Sequence, residues 1–342
     1  MIDKFDSILR KIQHEAAFKD YKHIAPIAKA ATDTDFGDLI LDAVELFDYT
    51  NGFTDDTHNI EKFNTTSNSE SESESEDIIL LPKTQTPKNI FSYWEKKDTD
   101  KIYSHITLCF KTMKKYYRNY NFVILNEHTI KDYLPDLRTD LQDLLIAQKV
   151  DYYRIALLYR YGGVWIDADT IALRPIDELF EKLDNGYDFV GFGCTGKTCF
   201  NGYPKPSNGV MGSRKHGALM ECCLHKLNDT LNTNNKKHNY FDLGKKIIWK
   251  CLDELFKSKY SYYHFPSEYD GSRDHEGYWI HTPDHFSKSH TQLLDENKAM
   301  FIFLANYEIT NDTSNKWILS LSEDDLLNGP WFISSLYRKA LS

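Results

Sequence analysis

The sequence predicts an α/β fold, and three observations carry that prediction. Short apolar runs alternate with helical patterns from residue 88 onward. Strands that alternate with helices form a largely parallel sheet with helices on both faces. One apolar run, Val164-Trp165-Ile166, follows a Gly162-Gly163 turn and ends in Asp167-Ala168-Asp169, the pattern of a core strand that delivers polar groups to its end. In chain order, Lys88–Trp94 reads as a strand and Asp100–Arg118 as a helix. Asn121–Leu125 is a second strand and Glu127–Tyr133 a short helix. Leu141–Tyr161 reads as one long helix, with apolar spacing from Leu144, Leu145, Ala147, Ile155, Leu158 and Tyr159 and a stop at Gly162. The acidic strand comes next. Ligands of such sheets bind beyond the carboxyl ends of the strands, so Trp94 and the two acids belong to one neighbourhood.

Side chains alternate faces along a strand, so Trp165, Asp167 and Asp169 project to one side. Two carboxylates this close repel unless a cation lies between them. Hard oxygen ligands suit Mg²⁺ or Mn²⁺, held by a few carboxylates plus substrate phosphates. The competing reading is a strand end with solvated acids, which the apolar run and the glycine turn disfavour. Asp151 and Arg154 lie three apart on the helix before the strand and share a face. They form either a surface ion pair, which is worth little, or a pair that grips polar groups of a ligand beside the acids.

The block D-x-x-R-x-x-x-L followed by Y-G-G-V-W-I-D-x-D resembles the DXD sugar-nucleotide transferases of glycosyltransferase family 32, and most closely their capsular-polysaccharide-synthesis branch. TPKNIFSYWEKK at 86–97 is similar to the family's opening strand, and FVILNEHTIKDYL at 122–134 to its second strand and following helix. The resemblance covers residues 82 to 183 best. It implies a GT-A fold, a Rossmann-like α/β sandwich, over residues 78–342. It also implies transfer of a sugar, with retention, from a nucleoside-diphosphate sugar to a glycan or other hydroxyl acceptor.

Site roles follow from the same resemblance. Asp169 is expected to bind Mn²⁺ or Mg²⁺, which bridges the donor diphosphate, and Asp167 to support the metal and the ribose. Trp94 matches the tryptophan that stacks on the nucleobase; otherwise it is a core or rim aromatic. Asp151 and Arg154 match the pair that holds donor-sugar hydroxyls. Trp165, at a position often Tyr in relatives, is a further nucleotide contact. Asn208, in Pro206-Ser207-Asn208-Gly209, matches an Asn near the sugar, or is a turn Asn before glycine. Relatives often end the catalytic domain with H-x-x-x-S-W. The nearest text here runs from His285 to Ser289 with His290 in place of Trp, so His285 is the expected third metal ligand and His281 the alternative.

Composition sets the remaining bounds. A net charge of −10, from 51 acids against 41 bases, comes with no basic face; this excludes nucleic-acid binding as the main function. No apolar run approaches the ~18 residues a span needs, and no charged-then-apolar leader is present. No membrane span is therefore expected; the expected location is cytoplasmic and the expected thiols free. Cys194 and Cys199 could form a loop disulfide or half a zinc site, and adjacent Cys222 and Cys223 point different ways on a helix. The sequons at Asn64, Asn228 and Asn311 are then idle. Residues 67–77, SNSESESESED, cannot bury apolar surface and read as a disordered linker open to phosphorylation. They split off residues 1–66, a helical N-terminal region that is either a partner-docking module or a cap on the catalytic domain.

Two rival functions fit parts of the pattern. VWIDADTIAL also matches the nucleophile strand of haloacid-dehalogenase-type phosphatases, with Asp167 as nucleophile and Asp169 as general acid. That reading needs a later acidic pair, for which Asp324-Asp325 is available, although Ser322 and those acids look like a helix cap. It leaves Trp94, Asp151, Arg154 and the glycine turn unexplained. A non-catalytic sugar-nucleotide-binding protein is the other rival, and the presence of all four charged site residues argues against it.

Overall fold

The structure is a computed structural model. It describes residues 80–95, 102–193, 206–233, 238–240, 242–256, 260–272, 280, 282–286 and 297–342. The expectations for residues 1–66, the linker at 67–77, Cys194, Cys199, His281 and His290 fall outside these. The described residues all belong to one compact unit.

The chain enters through β1 (Asn89–Tyr93), α1 (Ser104–Tyr116), β2 (Asn121–Leu125) and α2 (Ile130–Tyr133). Then come α3 (Ile146–Tyr161), β3 (Gly163–Ile166), β4 (Thr170–Ala172), α4 (Asp177–Asp184), β5 (Phe189–Phe192) and β6 (Val210–Ser213). The second half holds α5 (Ala218–Asn232), α6 (Lys245–Phe256), β7 (Tyr262–Phe265), α7 (Thr282–His285), β8 (Phe301–Phe303), α8 (Asn306–Asn311), α9 (Glu323–Asn328) and α10 (Phe332–Leu341). The main sheet runs β2-β1-β3-β6-β5-β7, and β4 pairs with β8 in a second, two-stranded sheet. The α/β expectation holds, with one refinement. Three strand pairs of the main sheet are parallel, but β6 runs antiparallel to both of its neighbours.

β3 is the centre of this frame. All four of its residues are buried, as expected for an apolar strand covered on both faces. The glycine turn before it is obligatory. Gly162 and Gly163 have φ of +66° and +108°, and a Cβ on Gly163 would lie 2.3 Å from the Asn89 carbonyl oxygen. Side chains tolerate neither the backbone angle nor the contact.

The long helix begins later than the apolar spacing suggests. Thr139–Asp143 is a separate 3₁₀ turn, Leu144 is extended, and Leu145 caps α3 with its side chain exposed. The leucine pair imitates a helix face but lies in the break between the two elements. Ser322 behaves as expected. Its hydroxyl accepts from the Asp325 N–H at 3.1 Å and the Asp325 carboxylate accepts from the Ser322 N–H at 2.9 Å. Asp325 thus caps α9.

The expectation of free thiols is corrected for one pair. Cys222 on α5 and Cys251 on α6 form a disulfide with Cα atoms 5.9 Å apart, while Cys109 and Cys223 are free and buried. Cys222 and Cys223 do point different ways, and it is helix packing that brings Cys222 to a partner 29 residues on. Disulfides persist in oxidising surroundings, so this pair runs against the free thiols that a cytoplasmic location implied. Among the described residues no helix is long and apolar enough to cross a membrane.

Candidate active site

The site is built where β3 ends. The Asp167 N–H donates to the Gly209 carbonyl at 2.8 Å, carrying the β3–β6 ladder one step past Ile166. This places Asp167 beside Asn208. Trp165 lies wholly inside the core, and its indole N–H donates to Asp167 Oδ1 at 2.8 Å. The Arg154 guanidinium stands 5.2 Å from the centre of the Trp165 ring. Its Nη1 is 3.2 Å from Asp167 Oδ1 and also donates to the Asn208 carbonyl. Its Nε lies 3.3 Å from Asp151 Oδ1. Asn208 Nδ2 closes the ring by donating to the same Asp151 oxygen at 2.8 Å.

Asp151, Arg154, Trp165, Asp167 and Asn208 therefore form one connected cluster. Asp151 and Arg154 are each 5% exposed, which removes the reading as a surface ion pair. Asn208 directs its amide into the cluster. Trp165 presents no surface to a ligand, so the nucleotide contact expected of it gives way to a positioning role: it holds Asp167 and packs under Arg154. Trp94 is half-buried against the main core. The β1–β3 register pairs Phe91 with Trp165, so three residues further on Trp94 comes level with Ala168, between the two acids.

Asp169 is held from the other direction. Its Oδ2 accepts the Asn306 N–H at 2.7 Å, and its carbonyl accepts the Leu304 N–H at 3.0 Å. Ala305 between them adopts a left-handed conformation with φ of +48°, which turns the chain out of β8 and aims Asn306 at the acid. His105, fully buried on α1, hydrogen-bonds Asn306 Oδ1 through Nε2 at 3.0 Å.

His285 is not brought to this place. It lies buried on α7 with its ring stacked on Phe332, centroids 6.3 Å apart. Among the described residues no three His, Cys, Asp or Glu side chains converge on a metal-sized position. The late-chain residue that reaches Asp169 is Asn306. Motif matching missed it because Asn306 reaches the acid through its backbone N–H, a contact with no side-chain signature, while its side chain bonds His105.

The electrostatics follow from burial. Burial pushes Asp151 up to about 7; Arg154 opposes this and the Asp167 charge adds to it. Asp167 rises to about 6, again through burial, against Arg154 and with Asp169. Asp169 is raised by burial, opposed by the Asn306 N–H. Burial lowers Lys245, at the start of α6, with Asp151 opposing. Three carboxylates thus share this region with one guanidinium and one half-buried ammonium, an excess of negative charge. Gly244 completes the wall: a Cβ there would lie 2.3 Å from Asp151 Oδ2. Tyr240, just upstream, has its phenol raised by burial and then by Asp151 and Asp167, which places it at the same acids.

The profile of the capsular polysaccharide synthesis protein family matches residues 44–321. No curated protein matches the sequence. Among solved structures, the chain is similar to a glycosyltransferase involved in glycosylation of the major capsid of PBCV-1, at 15% identity and a TM-score of 0.40, covering 68% of this chain and 96% of that one. It is similar to the PaToxG glycosyltransferase at 14% identity and a TM-score of 0.38, covering 52% and 73%. It is also similar to the glycosyltransferase GlyE of Streptococcus pneumoniae TIGR4 at 17% identity and a TM-score of 0.37, covering 73% and 64%. The family match begins at residue 44, ahead of the boundary expected at 78, and runs through the whole acidic cluster. By that match, which spans most of its length, the chain belongs to the capsular polysaccharide synthesis protein family.

Proposed function

We propose that this chain, a glycosyltransferase of the capsular polysaccharide synthesis family, uses the cluster around Asp151, Asp167 and Asp169 to take a sugar from a nucleoside-diphosphate donor. The acceptor is a glycan or glycoconjugate hydroxyl. The observation that carries this reading is the carboxylate excess at the end of β3, set against a single guanidinium that ties two of the three acids together. Bound Mn²⁺ or Mg²⁺ would neutralise the charge that develops on the departing diphosphate without proton transfer.

The chain's own residues divide the remaining work. Asp169 is the better direct metal ligand, because one oxygen is fixed by the Asn306 N–H. Asp167 has both oxygens occupied, by Trp165 and Arg154, and serves as an outer support. Asp151 and Asn208, locked to each other and to Arg154, offer acceptors and donors to the hydroxyls of the donor sugar. Asp151 is walled by Gly244 and suited to holding hydroxyls, not to attack. Same-face substitution through an oxocarbenium-like state, with retention, is the route that the family resemblance implies. Trp94 stacks on the nucleobase at the rim.

The test is a thermal-shift series with Mn²⁺ and a panel of nucleotide sugars, followed by a hydrolysis assay. A true donor raises the melting temperature by mass action and is turned over. Turnover of phosphate monoesters with no response to any nucleotide sugar would replace this reading with the phosphatase one.

A further inference from the structure

We propose that Tyr240 and Tyr307 form an aromatic platform for the sugar ring of the acceptor. Tyr240 precedes α6, and Tyr307 follows Asn306 on α8. Their rings approach to 5.2 Å between centroids with an interplanar angle of 51°. Both are large aromatics left substantially open, 40% and 44% exposed. Tyr240 lies within electrostatic reach of Asp151, Asp167, Arg154 and Asp169. Tyr307 is joined in sequence to the residue whose N–H binds Asp169. The two rings therefore border the reaction centre from two separate chain segments.

The geometry leaves no room for a nucleobase sandwiched between the rings. A planar base held between two rings needs parallel faces roughly 7 Å apart, twice a carbon–carbon contact distance. Rings tilted by 51° at 5.2 Å leave no such slot. Their outward faces instead suit the C–H face of a hexose, whose hydroxyls can turn toward the phenol groups and the carboxylates. Location points the same way. The proposed base contact, Trp94, follows β1 on one side of β3, whereas Tyr240 leads into Gly244 and Lys245, which border Asp151 near Asn208 and β6. In the reading above Asp151 and Asn208 hold the hydroxyls of the donor sugar, so the open rings beside them are left for the sugar that attacks. The inference rests on the donor reading above for the direction of transfer, but sugar binding to the rings can be measured without it.

The experiment uses the full chain and saturation-transfer NMR with methyl α- and β-hexopyranosides of glucose, galactose and mannose. Transfer is expected from the wild type to at least one of them. Tyr240→Ala/Tyr307→Ala should weaken that binding on the order of tenfold, the scale of one aromatic contact, and Tyr240→Phe/Tyr307→Phe should largely keep it. UDP and GDP affinities should stay within about twofold in the alanine pair. No transfer to any glycoside from the wild type, or undiminished transfer in the alanine pair, overturns the platform. A parallel loss of nucleotide affinity would assign the rings to the donor and also overturn it. Failure of the donor reading looks different: the wild type binds glycosides but turns over no nucleotide sugar.

Discussion

Each acid of the site does different work because its partners differ. The Asp169 carboxylate meets backbone N–H groups, that of Asn306 at 2.7 Å, so Asp169→Ala removes charge without opening the core. Transfer should fall by at least about a hundredfold with the melting temperature nearly unchanged in the absence of metal; wild-type turnover, or activity undiminished by EDTA, would remove Asp169 from the metal site. Asp151 is the opposite case, because its cost is internal. Its folded pKa of about 7 stands above the ordinary carboxylate value. Between roughly pH 4 and 7 the folded state therefore keeps a proton that the unfolded state has released, and stability falls as pH rises through that window. Asp151→Asn should make that slope shallower, while Asp167, raised to about 6, keeps its own share in both proteins. Urea denaturation of the metal-free protein across this range, wild type against variant, reads the difference. Parallel curves would mean that Asp151 ionises normally. The half-buried His264, lowered to about 4 by desolvation, gives the reverse slope, stability lost as pH falls from about 6.5 to 4. It is present in both proteins and cancels in the comparison.

The disulfide makes α5 and α6 a single element. Cys222 and Cys251 are 29 residues apart, and closing a loop of that size stabilises by about 3–4 kcal/mol in the chain-entropy account. Cys222→Ala/Cys251→Ala should lower the unfolding free energy by that order. A reductant should shift the wild type toward the variant and leave the variant alone; a wild type indifferent to reductant would mean that the bond does not form. The constraint reaches the site because α6 starts at Lys245, next to the glycine that walls Asp151. The element boundaries show what local pattern can carry. Alternating apolar runs and the glycine stop locate β3 and the end of α3, but the start of α3 is hidden, since Leu144 and Leu145 continue the apolar spacing through a break in the backbone.

At the scale of the whole molecule, every described site residue lies between Trp94 and Tyr307, within one compact unit. The family match nonetheless begins at residue 44. A chain beginning at residue 78 is expected to keep the thermal shift with Mn²⁺ and nucleotide sugar, because no described site residue precedes it. A chain beginning at residue 44 is the comparison. Loss of the shift in the shorter chain alone would assign residues 44–77 a part in the site or in its support.

The sequence alone determined the alternation of strands and helices, the acid pair at the end of a core strand, and the Asp151–Arg154 pair on the helix before it. Periodicity, glycine placement and close spacing are local, and local backbone preferences express them directly. The tertiary structure decided the rest. It reversed β6 within the sheet, buried Asp151 and Arg154, turned Asn208 into the cluster, and paired Cys222 with Cys251. It also brought Asn306 to Asp169, while His285 stacks on Phe332. These contacts join residues far apart in the chain, and their selection depends on which faces pack together, a property that neither propensity nor a motif with one substituted residue contains.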